Sequence, residues 1–139
     1  DNTLWYVEGG IVRHITRAGA SLGSFNSGIG AFSCAIAGAH IWIDNGTTAF
    51  KFTKAGVNTG VTITTGSFGL GYDPDRNLLW TSHWSPDGVF RAFNPDTGAL
   101  VFNSGNFVLP NGNARGHDIT YGAGKLWIAT ESLGQDVIY

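Results

Sequence analysis

The chain has 139 residues, enough for one modest domain, with a formal net charge of −2. It has no basic stripe to neutralise a nucleic-acid backbone, and no apolar run near the ~20 residues a membrane helix needs. Charged residues are 13% of the chain, Glu occurs twice and Lys three times, while Gly numbers 21. That profile belongs to short strands joined by tight turns, not to helices.

In chain order, the first predicted strands surround Leu4-Trp5 and "IVRHITR" (11–17). "FNSG" (25–28) closes this stretch. "FSCAIAG" (32–38) then reads as a buried strand, which gives Cys34 a small apolar role. A single cysteine forms no intramolecular disulfide. Ile41-Trp42 opens the next strand, followed by the Asn45-Gly46-Thr47 sequon, read as an Asn-Gly turn. "AFKFTK" (49–54) alternates with period two, as a strand should. Further on, "FGLGYDP", "NLLWTSH", "VFRAFNPDTG" and "ALVFNSG" follow one another. Their joints, Asp73-Pro74-Asp75-Arg76-Asn77 and Asn94-Pro95-Asp96-Thr97-Gly98, carry turn chemistry. Pro presets φ, and the Asp or Asn side chain bonds back to the backbone.

A repeat organises these elements. Leu4-Trp5, Ile41-Trp42, Leu79-Trp80 and Leu126-Trp127 recur at intervals of 37, 38 and 47 residues. "FNSG" (25–28), "ITTG" (63–66) and "FNSG" (102–105) form a second marker. Phe25 lies 17 residues before Trp42, and Ile63 lies 17 before Trp80. Each period holds four strands, a to d, so the chain runs b-c-d, a-b-c-d, a-b-c-d, a-b-c. The expected repeats are 1–28 (partial), 29–66, 67–105 and 106–139 (partial). A four-stranded unit near 40 residues is a β-propeller blade. The fold class is therefore all-β: four-stranded antiparallel blades of a propeller, in an incomplete ring of three to four blades.

"GHDITYGAGKLWIA" (116–129) resembles the blade pattern of NHL-type and streptogramin-lyase-like propellers. "NPDTG" resembles a turn of YncE-like surface propellers. The resemblance implies an architecture and leaves the activity open, because one fold hosts many functions. Three and a half blades do not close a ring. Three expectations stay open: further blades of a longer chain, self-association of copies, or another stacking such as an open β-array or a sandwich. The chain opens and closes inside strand-like sequence, as expected of a processed protein or of a segment of a longer one.

Strand order sorts the loops onto two faces. The b–c and d–a loops share one, with Glu8, Asp44, Asn45, His83, Trp84, Arg115, His117 and Glu131 at or near them. The third Trp interval is nine residues longer than the second, and most of the excess falls in the d–a loop "NFVLPNGNARG" (106–116). Long loops on a rigid scaffold carry function. The ligand-binding candidates are thus His83, Trp84, Arg115, His117 and Asp118. Imidazoles can act as acid, base or ligand, Arg115 can hold a carboxylate or phosphate, and Trp84 can stack on a sugar or aromatic ring. Aligning Trp127 on Trp80 places His117 on Leu70 and Asp118 on Gly71; aligning it on Trp42 places them on Phe32 and Ser33. His117 thus takes a position where other blades put apolar residues, and reads as a packed histidine near the axis. His14 and His40 are expected at the surface or rim. Trp5, Trp42, Trp80 and Trp127 are expected in the core between sheets. Glu8 and Glu131 could suggest a glycosidase carboxylate pair, but their matching loop positions read first as repeat symmetry.

No metal-ligand spacing, phosphate loop or nucleophile elbow occurs, so neither metal nor cofactor is expected. The leading expectation is a non-enzymatic module that binds protein or carbohydrate, or builds an assembly. Low charge with abundant Gly, Asn and Thr suggests an extracellular, cell-surface or periplasmic location. The alternative is a fragment of a lyase-, lactonase- or hydrolase-like propeller enzyme, with its site on the face carrying His83 and His117.

Overall fold

The computed structural model describes residues 2–83, 89–105, 116–132 and 135–138. Its strands make four antiparallel sheets, met in chain order. Sheet one is β1 (Thr3–Glu8), β2 (Ile11–Thr16) and β3 (Ser21–Asn26). Sheet two is β4 (Ser33–Ala37), β5 (His40–Asp44), β6 (Thr48–Thr53) and β7 (Asn58–Thr64). Sheet three is β8 (Gly69–Asp73), β9 (Leu78–Ser82), β10 (Phe90–Phe93) and β11 (Leu100–Asn103). Sheet four is β12 (Gly116–Gly122), β13 (Lys125–Ser132) and β14 (Gln135–Ile138). Within each sheet, strands are neighbours in the order of the chain. This is the blade arrangement of a β-propeller, so sandwich and open-array stacking are set aside.

The predicted turns form by the predicted means. Asp73 Oδ1 accepts from the backbone N–H of Asp75 and Arg76 at 2.9 and 3.1 Å, and Asn77 adopts φ 52°. Asn94 Oδ1 accepts from the N–H of Asp96 and Thr97 at 2.8 and 3.1 Å. Asn45 Oδ1 receives the Thr47 and Thr48 N–H groups, which makes Asn45-Gly46-Thr47 a turn.

Three apolar layers fill the spaces between sheets, and they share one construction. Between sheets one and two, Trp5 packs with Ile41, Ile43, Phe50 and Phe52. Between two and three, the fully buried Trp42 packs with Leu70, Leu79 and Phe93. Between three and four, Trp80 packs with Ile119, Leu126 and Ile128. Each tryptophan of a b strand thus enters the residues flanking the tryptophan of the next b strand. Period-two alternation makes this possible, since the flanking residues point away from their own tryptophan.

Inner strands approach closely. A Cβ on Gly69 would fall 2.5 Å from the Asp118 Cα, and one on Gly71 would fall 2.9 Å from the Ile119 oxygen. Only a residue without a side chain lets β8 lie this near β12. Polar contacts reinforce the sheet-to-sheet fit. The Lys51 ammonium donates to the Asp96 carbonyl at 3.2 Å, linking sheet two to the c–d turn of sheet three. The Tyr121 hydroxyl bonds to the Asp75 carboxylate in the a–b turn of sheet three.

Two expectations change. Trp127 is not core: it is 42% exposed, because no described sheet lies beyond β12–β14. His14 is more than a rim residue. Its ring stacks on Trp5 at 4.0 Å and its Nε2 pairs with Thr3 Oγ1 at 2.9 Å.

Candidate functional site

On the loop face, the b–c connection of sheet two meets the d–a connection that follows it. Asp44 ends β5, fully buried, and ties these two loops together. Its Oδ1 accepts from the Gly46 N–H at 2.8 Å and from Thr65 Oγ1 at 3.0 Å. Its Oδ2 accepts from Ser67 Oγ at 3.1 Å. Burial pushes the Asp44 carboxyl up despite the opposing effect of these donors. The group is a structural clasp. An Asp at the end of a strand, followed 21 and 23 residues later by hydroxyls in "TTGS", was its only signal in the sequence.

His83 leaves β9 on this face. Its N–H donates to the Val89 carbonyl at 2.9 Å, which joins β9 to β10. Its ring lies over the preceding d–a loop, where a Cβ on Gly66 would sit 2.6 Å from Nε2. Gly66 adopts φ 59° there, so two constraints demand glycine. His83 Nδ1 is buried without a hydrogen-bond partner among the described residues. Trp84 and Arg115 lie outside the described residues.

His117 sits where the β12–β13 register slips, between the pairs Gly116–Thr130 and Asp118–Ala129. A bulge of this kind re-aims a side chain at a sheet edge. The strand pairing also corrects the alignment on Trp80. Thr120 pairs with Trp127 as Gly71 pairs with Trp80 and Ala35 with Trp42. His117 therefore matches Phe68 and Phe32, not Leu70, and Asp118 matches Gly69, not Gly71. The reason is turn length: the two residues Ala123-Gly124 connect β12 to β13, where the four residues "PDRN" connect β8 to β9.

Sequence reasoning matched His117 to Phe32 through Trp42, but it did not bring in Phe68 or make either phenylalanine a candidate. Phe32, Phe68 and His117 occupy one position in three successive sheets, each just before or at the start of an inner strand. Phe32 is 63% exposed and meets Phe68 edge-to-face, with ring centroids 5.1 Å apart. Gly46 lies against both rings, 3.2 to 3.4 Å from where its Cβ would be. His117 is half-buried.

Asp118 turns elsewhere. Its Oδ1 accepts from the Ile119 N–H at 2.8 Å, and its carboxyl lies against Gly69. Loss of water raises its pKa, offset in part by the Ile119 bond and the His117 charge. It lines a depression of about 200 Å³ with Ile119, Thr120, Trp127 and Ala129 on the open side of sheet four. A second depression, about 190 Å³, is lined by Trp5, His14, Leu22 to Phe25, Lys54 and Ala55. Neither contains His83 or His117. Among the described residues no three His, Cys, Asp or Glu side chains gather as a metal site. Glu8 is occupied by an ion pair with Arg13 at 3.0 Å; the side chain of Glu131 lies outside the description.

No protein-family profile matches the sequence, and no curated protein matches it. Solved structures do match. The WD40 domain of Neurospora crassa Pan2 superposes with a TM-score of 0.64 at 12% identity, over 94% of this chain and 40% of that one. A chain of the Mitotic Checkpoint Complex gives 0.60 at 13% identity, over 97% and 44%. BamB from Moraxella catarrhalis gives 0.53 at 13% identity, over 93% and 52%. This chain is a β-propeller repeat protein. It spans about half the length of the solved structures it matches. Likeness at such low identity speaks for the propeller fold alone.

Proposed function

We propose that this propeller segment is a binding module for a protein or peptide ligand, held on the loop face beside the inner strands. The observation that carries it is Phe32: a large aromatic ring, 63% exposed, fixed edge-on by Phe68 at the start of an inner strand. An exposed ring pre-positioned by its neighbours presents apolar area at little entropic cost. His83 and His117 lie toward the same face and would add polar contacts. An edge-to-face pair offers a notch for an apolar side chain rather than a flat platform for a sugar ring, which favours a polypeptide over a carbohydrate. Membership of one fold relative in a multi-protein complex agrees with this use of the scaffold. An exported or displayed location remains part of the proposal and rests on composition.

A phage-displayed peptide library panned on the immobilised chain tests it. Selected peptides should lose ~10-fold or more in affinity on Phe32→Ala. They should be indifferent to Leu100→Ser, on the exposed outer strand β11. Binders that ignore Phe32→Ala, or binding found only on a glycan array, would overturn the reading. A lyase-, lactonase- or hydrolase-like activity would need His83 and His117 to converge on one cavity. No observation favours that second reading.

A further inference from the structure

The three internal layers follow one rule, and the two end faces are the two halves of a fourth such layer. On β1, Leu4 and Tyr6 flank Trp5 and point away from sheet two, 48% and 41% exposed. Leu4 pairs across the strands with Ile15, as Leu79 pairs with Phe93 and Ile41 with Phe52. Leu79 and Phe93 form the buried seat that receives Trp42; Ile41 and Phe52 form the one that receives Trp5. Leu4, Tyr6 and Ile15 are thus a seat with no tryptophan in it. Sheet four shows the converse. Leu126 and Ile128 receive Trp80, while Trp127 faces the other way with Thr120 and Ala129 around it. Its indole N–H is already satisfied by the Gly122 carbonyl at 3.0 Å, so the ring can be covered without leaving a donor unpaired.

We propose that a second copy of this chain docks head to tail, Trp127 of one copy entering the Leu4–Tyr6–Ile15 seat of the other. Strands b and c carry both the knob and the seat, and both strands are present in sheets one and four. The contact therefore needs neither an a strand on sheet one nor a d strand on sheet four. The described sheets of two copies number eight, inside the range of closed propellers. The occupant follows from complementarity: each end face offers what the other lacks, and a copy of the same face does not. This surface is distinct from the loop face of Phe32, so either proposal can fail alone.

Light scattering on the eluting 139-residue chain should give twice 14.7 kDa. Trp127→Asp and Leu4→Asp, both at exposed positions, should each give a folded monomer by circular dichroism. Each should weaken dimerisation by at least ~30-fold. Mixing the two variants should restore a dimer, because one unmodified Trp127–Leu4 contact remains in the mixed pair. A monomeric wild-type chain overturns the proposal. So does a dimer that survives either substitution, since like faces would then be pairing, and so does a mixture that stays monomeric.

Discussion

Trp42 and Trp127 stand at the same place in two sheets, yet Trp42 is fully buried and Trp127 is 42% exposed. Both follow an aliphatic residue, both lie on a b strand, and both pair with a small residue on the inner strand, Ala35 or Thr120. Local sequence makes the same strand twice. What differs is whether another sheet lies across the ring. The comparison teaches that burial in a stacked-sheet protein belongs to the pair of sheets, not to the residue.

The sharpest way to break this comparison is truncation at both sites. Trp42→Ala should destabilise the chain by about 3–5 kcal/mol, since it empties a layer sealed by Leu70, Leu79 and Phe93. Trp127→Ala should cost less than about 1 kcal/mol in a monomeric background, because no described sheet covers it. Denaturant titration of both variants measures the difference, and equal losses would erase it.

A smaller effect contrasts two glycines. Gly69→Ala pushes a methyl into the Asp118 and Ile119 backbone and should cost about 1–3 kcal/mol. Gly30→Ala meets nothing within 4 Å and should stay within about 0.5 kcal/mol, read by thermal melting.

The smallest change leaves stability alone at neutral pH. Burial pushes the Cys34 thiol up to about 11, and its sulfur faces the Trp5 carbonyl at 3.8 Å. Near pH 8 the folded chain should react with a thiol reagent about 100-fold more slowly than the unfolded chain. The sign is that of an acid raised on folding. Below the unfolded thiol's pKa both states are protonated and nothing is lost. As pH climbs from about 9 to about 11, the unfolded state ionises first and stability falls. Equal rates of labelling at pH 8 would show that the first layer is open.

Much of the fold was legible because its signals are local. Proline and Asx turns at 73–77 and 94–98, alternation in "AFKFTK", and a tryptophan every blade all act over a few residues. The site was less legible for two physical reasons. A turn shortened by two residues shifted the inner-strand register of sheet four relative to sheet three, which a gapless comparison with Trp80 does not show, and the bulge at His117 is set by strand pairing that a single strand does not record. Aligning on Trp42, whose a–b turn has the same length as that of Trp127, did place His117 on Phe32. The exposure of Phe32 could not be read from that match, since a phenylalanine beside a strand is usually buried. Asp118, grouped with His117 by adjacency, parts from it because successive residues at a bulged strand end point to different sides.

The sequence by itself determined the strands, the turns, the order of strands within sheets and the sorting of loops onto two faces, since each depends on short-range chemistry and a counted period. The tertiary structure alone decided which tryptophan is sealed, which glycines must be glycine, and that Phe68 shares the position of Phe32 and His117. Those depend on what a neighbouring sheet places opposite a residue, and a single strand carries no record of its neighbour.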